Sequence, residues 1–363
     1  MMSDLFTFPD DVPTLTDGTV TLRAHSLSDV DAMVEQCSDP ESITWTRVPV
    51  PYKREDAVRY ITEIVPAGWR NRTELNFAIE GTHPDGVRRF SGSASLRIGG
   101  NQSAEIIGGM HPAARGQGFF YRALKLVIDW GFTQPEIEVV IANVNATNWA
   151  SRRVIWANGF TFSGTVPRFI PVRGERKDIW FGTLRAEDSR EPKTAWHVPP
   201  MLETDRLKLR PYRVSDAERI GEPDGAATVR RYMEACASGE QFVWCIADLE
   251  TDELLGRIRL SNLDGPDQTA AEVSYTLHPE QYGNDVLTDA LRVVTEWSFR
   301  PVGQEGLGKR RLSLTAAASD KTSRYAAEQA GFQHVSTEPE AFATADGAFE
   351  DLLRYHRLNP DWR

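Results

Sequence analysis

Two glycines and an arginine crowd into one short stretch, HPAARGQGFFYRAL at 111–124, and their spacing suits one kind of chemistry. If the stretch ends a strand and opens a helix, the N–H groups of Gly116, Gln117, Gly118 and Phe119 lack helical partners and stand at the positive end of its dipole. Such a turn can cradle phosphate, because glycine lets an anion approach the backbone and Arg115 can add a charge-assisted contact. The same residues would also serve a tight strand-to-helix turn with an incidental arginine. A second stretch, NVNATNWASRRVIWANGF at 143–160, spaces Asn145, Asn148 and Ser151 three apart. As the chain turns into a helix they present amide and hydroxyl groups on one side, either to bond a ligand amide or to cap the helix. Gly159 and Phe160 end that helix and plug the core.

Period and punctuation supply the elements that must position these groups. TVTLRAH alternates as a first strand, and Ser28 with Asp29 opens a helix that runs to about Gln36. ELNFAIEG and RRFSGSASLRIGG read as antiparallel strands separated by the turn residues HPDG, and AEIIGGMHP as a fourth strand stopped by its proline. GFFYRALKLVIDWGF carries Phe120, Leu124, Val127, Ile128 and Phe132 near helical spacing. EVVIANV is a short strand, WASRRVIWAN a helix ended by Gly159, and DIWFGTL a last strand. The order β-α(α)-β-β-β-α-β-α-β describes an α/β domain.

The pattern then repeats. LTDGTVTLRAHSLSDVDAM matches LETDRLKLRPYRVSDAERI, pairing Leu15 with Leu202, Arg23 with Arg210 and Asp29 with Asp216 at an offset of 187. AEIIGGMHPAARGQG matches AEVSYTLHPEQYGND at an offset of 167, pairing Glu105 with Glu272 and His111 with His278, so the second half has lost 20 residues between these blocks. SRRVIWANGF matches SRYAAEQAGF at an offset of 172. The charged, proline-containing segment AEDSREPKTAWHVPP at 186–200 reads as the connection. The expected organisation is a first domain over 1–188, a linker over 189–200 and a second domain over 201–363.

A strand-ending HP, then RGQG opening a helix, then N-x-x-N-x-x-S and GF some way on, resembles the GNAT superfamily of acetyl-CoA-dependent N-acetyltransferases. The opening LxLRxxxxSDxD is similar to its RimJ/RimL-like, ribosomal-protein acetyltransferase branch, and the likeness covers almost all of both halves. The resemblance implies two tandem α/β domains, each with a mixed, mostly antiparallel sheet that splays between its strands 4 and 5 and is flanked by helices. It implies acetyl-CoA as cosubstrate and direct attack of an amine on the thioester. The pyrophosphate would fall to Arg115, Gly116, Gln117, Gly118, Phe119 and Phe120, and the pantetheine to the backbone of Met110 and His111. Asn148 and Ser151 would take the remaining CoA-proximal positions. Two departures stand out: Ala113 replaces the Gln or Arg common at the first loop position, and Ile155 stands where many relatives place a tyrosine acid.

An amine must be neutral to attack, and a lysine-like amine with a reference pKa of about 10.4 is mostly charged at pH 7. Glu105, on the fourth strand five residues before Met110, is the candidate base, acting through water; its other reading is a surface carboxylate paired with an arginine. The surviving copy Glu272 leans towards a structural share. His111 precedes a proline and has its own copy beside an altered loop, which favours a turn role. Trp45, Tyr52 and Trp69 lie in the region that the second half lacks, which in relatives walls the acceptor; they would stack on substrate or simply fill core. In the second half the loop reads EQYGND, so Asp285 stands where Gly118 does and would repel a pyrophosphate, and Asp320 replaces Asn148. That half is expected to be a degenerate copy that packs, shapes the acceptor cleft or presents an acidic surface.

Composition bounds the partners. The chain has 363 residues, 40 % apolar and 26 % charged, with 21 prolines, as an ordinary globular protein does. Its net charge of −11 argues against nucleic acid and favours cationic acceptors, either small amines or a protein N-terminus. The acidity is uneven: residues 1–190 carry 21 basic and 23 acidic side chains, and 191–363 carry 20 and 29. Three dispersed cysteines and the absence of metal-ligand spacing suit a reducing cytoplasm without a structural metal. No signal peptide or apolar run of membrane-spanning length is present, so no membrane partner is expected. The rival functional reading is a non-catalytic acyl-CoA-binding or interaction protein.

Overall fold

The computed structural model describes residues 12–263, 268–281, 283 and 285–362. The N-terminal MMSDLFTFPDD and, within the YGND motif, Tyr282 and Asn284 lie outside them. The chain forms two compact units, Met1–Lys193 and Thr194–Arg363.

In the first unit, β1 (Leu15–Thr16), β2 (Val20–Arg23), β3 (Glu74–Thr82), β4 (Arg88–Ile98), β5 (Ser103–Met110), β6 (Val139–Asn145), β7 (Thr161–Val172) and β8 (Glu175–Arg185) build one sheet in the order β1-β2-β3-β4-β5-β6-β8-β7. All neighbours are antiparallel except β5 and β6. Helices α1 (Val30–Ser38), α2 (Pro40–Trp45), α3 (Arg54–Arg59) and α4 (Val65–Asn71) fill the connection from β2 to β3. Helix α5 (Phe119–Gly131) links the parallel pair and α6 (Trp149–Ala157) follows β6. Alternation sorts the side chains: Leu75, Phe77, Ile79, Ala94, Leu96, Ala104 and Ile106 face one core with Leu124, Val127 and Ile128 of α5. The opposite face takes Ala78 and Phe90 against Val30, Met33, Ala57 and Ile61 in a smaller cluster.

The second unit repeats the design. Strands β9 (Leu202–Glu203), β10 (Leu207–Pro211), β11 (Phe242–Asp248), β12 (Leu254–Ser261), β13 (Ala270–Leu277), β14 (Arg311–Ala317), β15 (Gln333–Ala343) and β16 (Phe349–Leu358) form a sheet in the order β15-β16-β14-β13-β12-β11-β10-β9. A single helix, α7 (Gly225–Ala237), stands where the first unit has α1 to α4, and α8 (Val286–Phe299) and α9 (Lys321–Gln329) correspond to α5 and α6.

The residues shared by the first repeat block turn out to be a brace. Arg23 grips Asp29 through two bonds of 2.9 and 2.8 Å and Glu80 through a third of 3.0 Å, while Asp29 also accepts the Ser26 N–H. Arg210 does the same with Asp216 and Asp252, and Arg210 is fully buried. Removing one member of such a buried pair strands a charge at a cost of roughly 3–5 kcal/mol, which accounts for its presence in both halves.

Two sequence expectations shift. The first helical turn is capped by Ser26, with Asp29 closing the capping box, rather than opened at Ser28. Strand β7 has no counterpart in the sequence reading; carrying Gly164, Pro167 and Pro171, it forms an edge strand with two register shifts against β8. Within the segment 189–200, the Ser189 and Arg190 backbone packs on Gly159, Ala195 packs on Gly239, and the Pro200 carbonyl accepts from Trp244.

Candidate functional site

Strands β5 and β6 pair in parallel only over Ser103–Glu105 and Val139–Ile141, and beyond Glu105 they part. In the antiparallel ladder with β4, the His111 N–H donates to the Ser91 carbonyl at 2.9 Å, so alternate residues back to Glu105 spend their main-chain groups on β4. The intervening residues Ile106, Gly108 and Met110 turn their N–H and C=O groups to the gap. The Gln102 carbonyl, on the same side, accepts from Glu138 and Val139 at the closed end. Met110 thus offers main chain to the gap, whereas the backbone of His111 is used, its carbonyl accepting from Ala114.

At the open end a turn of 3₁₀ helix over Pro112–Ala114 leads into the glycine loop. Gly116 and Gly118 take φ of +75° and +74°, a left-handed conformation that disfavours side chains, and open space lies where their Cβ atoms would be. Gly118 is the N-cap of the 13-residue α5 and brings no side-chain cap, so the first N–H groups of that helix face outward. Gln117 is folded back onto the Ala113 carbonyl at 2.7 Å and approaches the buried His83. Phe119 is buried against His83, with ring centroids 5.3 Å apart, and the Phe120 ring covers Gly108 of β5. Both aromatics therefore contribute backbone, not side chain, to the loop. The Arg115 guanidinium is bound by Asp39 at 2.5 Å, Glu41 at 2.7 Å and the Ser42 hydroxyl at 3.0 Å, all on or beside α2. That arginine, together with the Ser42 N–H, holds the Asp39 carboxyl below its ordinary range.

Glu105 sits at the vertex of the gap, on the face covered by α1 to α3. One of its oxygens accepts from Asn143 at 2.9 Å and the other lies 3.5 Å from Arg97. Arg97 is shared with Glu74, which accepts from it at 2.9 and 3.1 Å and from Ser95 at 2.8 Å. Asn76 extends the network to Tyr60 at 2.6 Å and to His25 at 3.2 Å. Burial pushes the Tyr60 hydroxyl far above its ordinary range and the His25 imidazole below its own. Three amide oxygens on this face, from Gln36, Asn143 and Asn145, are buried and meet no donor. Gln36 reaches over Gly109 on the β5 arm, and Asn143 and Asn145 line the β6 arm.

The remaining sequence candidates divide. Asn148 caps α6 by accepting from the Ser151 N–H at 3.0 Å, and Asp320 caps α9 from Ser323 at 2.9 Å in the same way. Asp320 is therefore a helix cap kept in another residue type. Trp45 closes α2, and its carbonyl accepts from Asn145 at 3.0 Å. Tyr52 is half-buried beside Cys37, and burial raises the pKa values of both. Trp69 is core: it is 6 % exposed, packs edge-on against Phe77 and tilted against Trp130, and donates its indole N–H to the Asn76 carbonyl. His111 accepts the Ala113 N–H on Nδ1 and points Nε2 at Glu35, 3.1 Å away, which ties the loop to α1.

Sequence reading missed Gln36, Tyr60, Glu74, Asn76 and Arg97. Their one signal was that Ser93, Ser95 and Arg97 alternate with apolar residues along β4. It also missed Arg173, at the turn between β7 and β8, whose guanidinium donates to the carbonyls of Ile43, Thr46 and Val48 and so holds the stretch around Trp45.

The model of the acetyltransferase (GNAT) domain family matches residues 19–161 and again 206–333, more than half of the chain. Among curated relatives, the uncharacterised N-acetyltransferase p20 of Bacillus licheniformis is 26 % identical over 179 residues, 48 % of this chain and 97 % of the relative. The uncharacterised N-acetyltransferase YoaA of Bacillus subtilis (strain 168) is 30 % identical over 128 residues, 30 % of this chain and 72 % of the relative. Among solved structures, Mycobacterium smegmatis RimJ in complex with CoA-disulfide is similar at a TM-score of 0.42 and 24 % identity, covering 50 % of this chain and 91 % of that one. With a parting parallel pair and the family match in each half, the chain belongs to the GNAT acetyltransferase family, an acyltransferase with two tandem GNAT-like domains.

Proposed function

We propose that the first unit moves an acetyl group from acetyl-CoA to a primary amine, of a small cationic molecule or a protein N-terminus, in the cytoplasm, and that the second unit does not bind CoA. The observation that carries this reading is the parting of β5 from β6 directly after Glu105, next to the open glycine loop. The N–H groups of Gly116, Gln117, Gly118 and Phe119 hold the pyrophosphate at the positive end of α5. Arg115, held by Asp39 and Glu41, positions the loop against α2. Main-chain groups of Gly108 and Met110 pair with the pantetheine amides as a further strand would, and the Met110 N–H serves as the oxyanion donor. Asn148 and Ser151 fix the start of α6 beside this channel.

Acetyl-CoA supplies the activated acyl group. The amine comes from the α1–α3 face, between Trp45 and Tyr52, where the open amide oxygens of Gln36, Asn143 and Asn145 accept its N–H groups. Glu105, placed by its contacts with Arg97 and Asn143, takes the proton through a water. In the second unit Asp285 adopts φ of 56° at the N-cap of α8, where Gly118 stands in the first, and puts a carboxylate at the anion position. The test is acetyl-CoA binding together with thiol release over a panel of amines and peptides. Binding with turnover on at least one amine is expected, and binding without turnover on any would favour an acyl-CoA-binding protein instead.

A further inference from the structure

The second unit keeps the parting of its parallel pair and changes what lines it. Strands β13 and β14 pair over Ala270–Glu272 and Arg311–Ser313 and then separate, as β5 and β6 do. Counting back from the strand-ending HP pair, Ser93 and Ser95 of β4 correspond to Arg257 and Arg259 of β12. Ile107 and Gly109 of β5 correspond to Ser274 and Thr276 of β13. Val273, Leu312 and Leu314 face the core with α8, so these arginines, serine and threonine lie on the opposite face, with α7.

Both guanidinium groups lean from β12 over β13, towards the gap. Arg257 donates to the Thr276 hydroxyl at 2.9 Å and to the Tyr232 hydroxyl, with its charge 4.8 Å over the Tyr232 ring, and Arg259 donates to the Ser274 hydroxyl. Their Cα atoms are about 6.6 Å apart, two residues along one strand. Among the described residues no carboxylate pairs with either, and the buried Nε of Arg257 meets no acceptor. Elsewhere in this unit the fully buried Arg210 has two carboxylates and Arg354 has Glu338, whereas Arg324 and Arg357 bond backbone carbonyls. Glu272, on the same face of β13, accepts from the Asn262 amide at 2.6 Å. Partly desolvated like charges held only by hydroxyls call for an anion.

We propose that the gap between β13 and β14 binds a small molecule bearing a carboxylate or phosphate group, held by Arg257 and Arg259. This site is independent of the acetyl transfer assigned to the first unit. The experiment titrates the full chain with succinate and with inorganic phosphate at constant ionic strength, by calorimetry. One saturable site per chain is expected for at least one of them, and which one saturates identifies the source of the charge. The double variant Arg257→Gln, Arg259→Gln should weaken it at least tenfold, and Gly118→Asp, which blocks the loop of the first unit, should leave it unchanged. Failure of both anions to saturate at millimolar concentration, or equal binding by the double variant, overturns the proposal. Hydrogen exchange on the wild-type chain guards against a variant that fails to fold. Anion should slow exchange at 256–261 and 272–277, and slowing confined to 112–119 would place the anion in the first unit and overturn the proposal.

Discussion

Gly118→Asp copies the loop of the second unit into the first, and both sides of its effect can be worked out. Gly118 is at φ +74°, where an L-residue pays about 1–2 kcal/mol. The space for its Cβ is empty, and a carboxylate at a helix N-terminus returns roughly 0.3–1 kcal/mol. Asp285 holds the same conformation at φ 56° in the second unit, so the fold accepts the residue. The net loss of about 1 kcal/mol should lower the melting temperature by roughly 2–4 °C. Towards ligand the effect is much larger. A carboxylate about 4 Å from one phosphate charge, at an effective dielectric of 20, is repelled by about 4 kcal/mol. That is about a 10³-fold weaker dissociation constant for CoA. Calorimetric titration with CoA and a thermal melt on the same samples read the two numbers separately. A folded variant that binds CoA within tenfold of wild type would refute the placement of the pyrophosphate at this loop.

Three further outcomes are expected. Calorimetry with CoA should give one site per chain, since only the first loop offers an uncharged cradle; two equal sites would contradict the reading of Asp285. Glu105→Gln should keep CoA affinity and lose about 10²- to 10⁴-fold in rate at neutral pH, with partial recovery as pH rises and the amine deprotonates unaided; parallel pH profiles for variant and wild type would remove Glu105 as base. His25, packed between Tyr60 and Phe90, is held below its ordinary value near 6.5 by burial, so as pH falls through that value the unfolded chain takes up more protons than the folded one and stability drops. The melting temperature should therefore fall between about pH 7 and about pH 5, and by less in His25→Gln; an unchanged slope in that variant would place the effect elsewhere.

Much of this protein is local and hence readable in one dimension. The glycine pair before an amphipathic helix, the proline that stops β5 and the two-residue alternation of β3 to β6 are short-range consequences of backbone conformation and of burying one face. The repeat and its order needed only self-comparison. Tertiary structure decided what the polar residues do, because their partners lie far away in the chain. Arg115 looks free for phosphate in the sequence, yet carboxylates 74 and 76 residues earlier hold it. Glu105 gains its place from the register that ends the β5–β6 pairing at that residue, and register is set by whole sheets. Trp69 and Trp45 are both aromatic residues in the same connection, and only packing sends one to the core and leaves the other beside the gap. Arg257 and Arg259 read as surface charge in a strand until β13 places hydroxyls, and no carboxylate, beneath them.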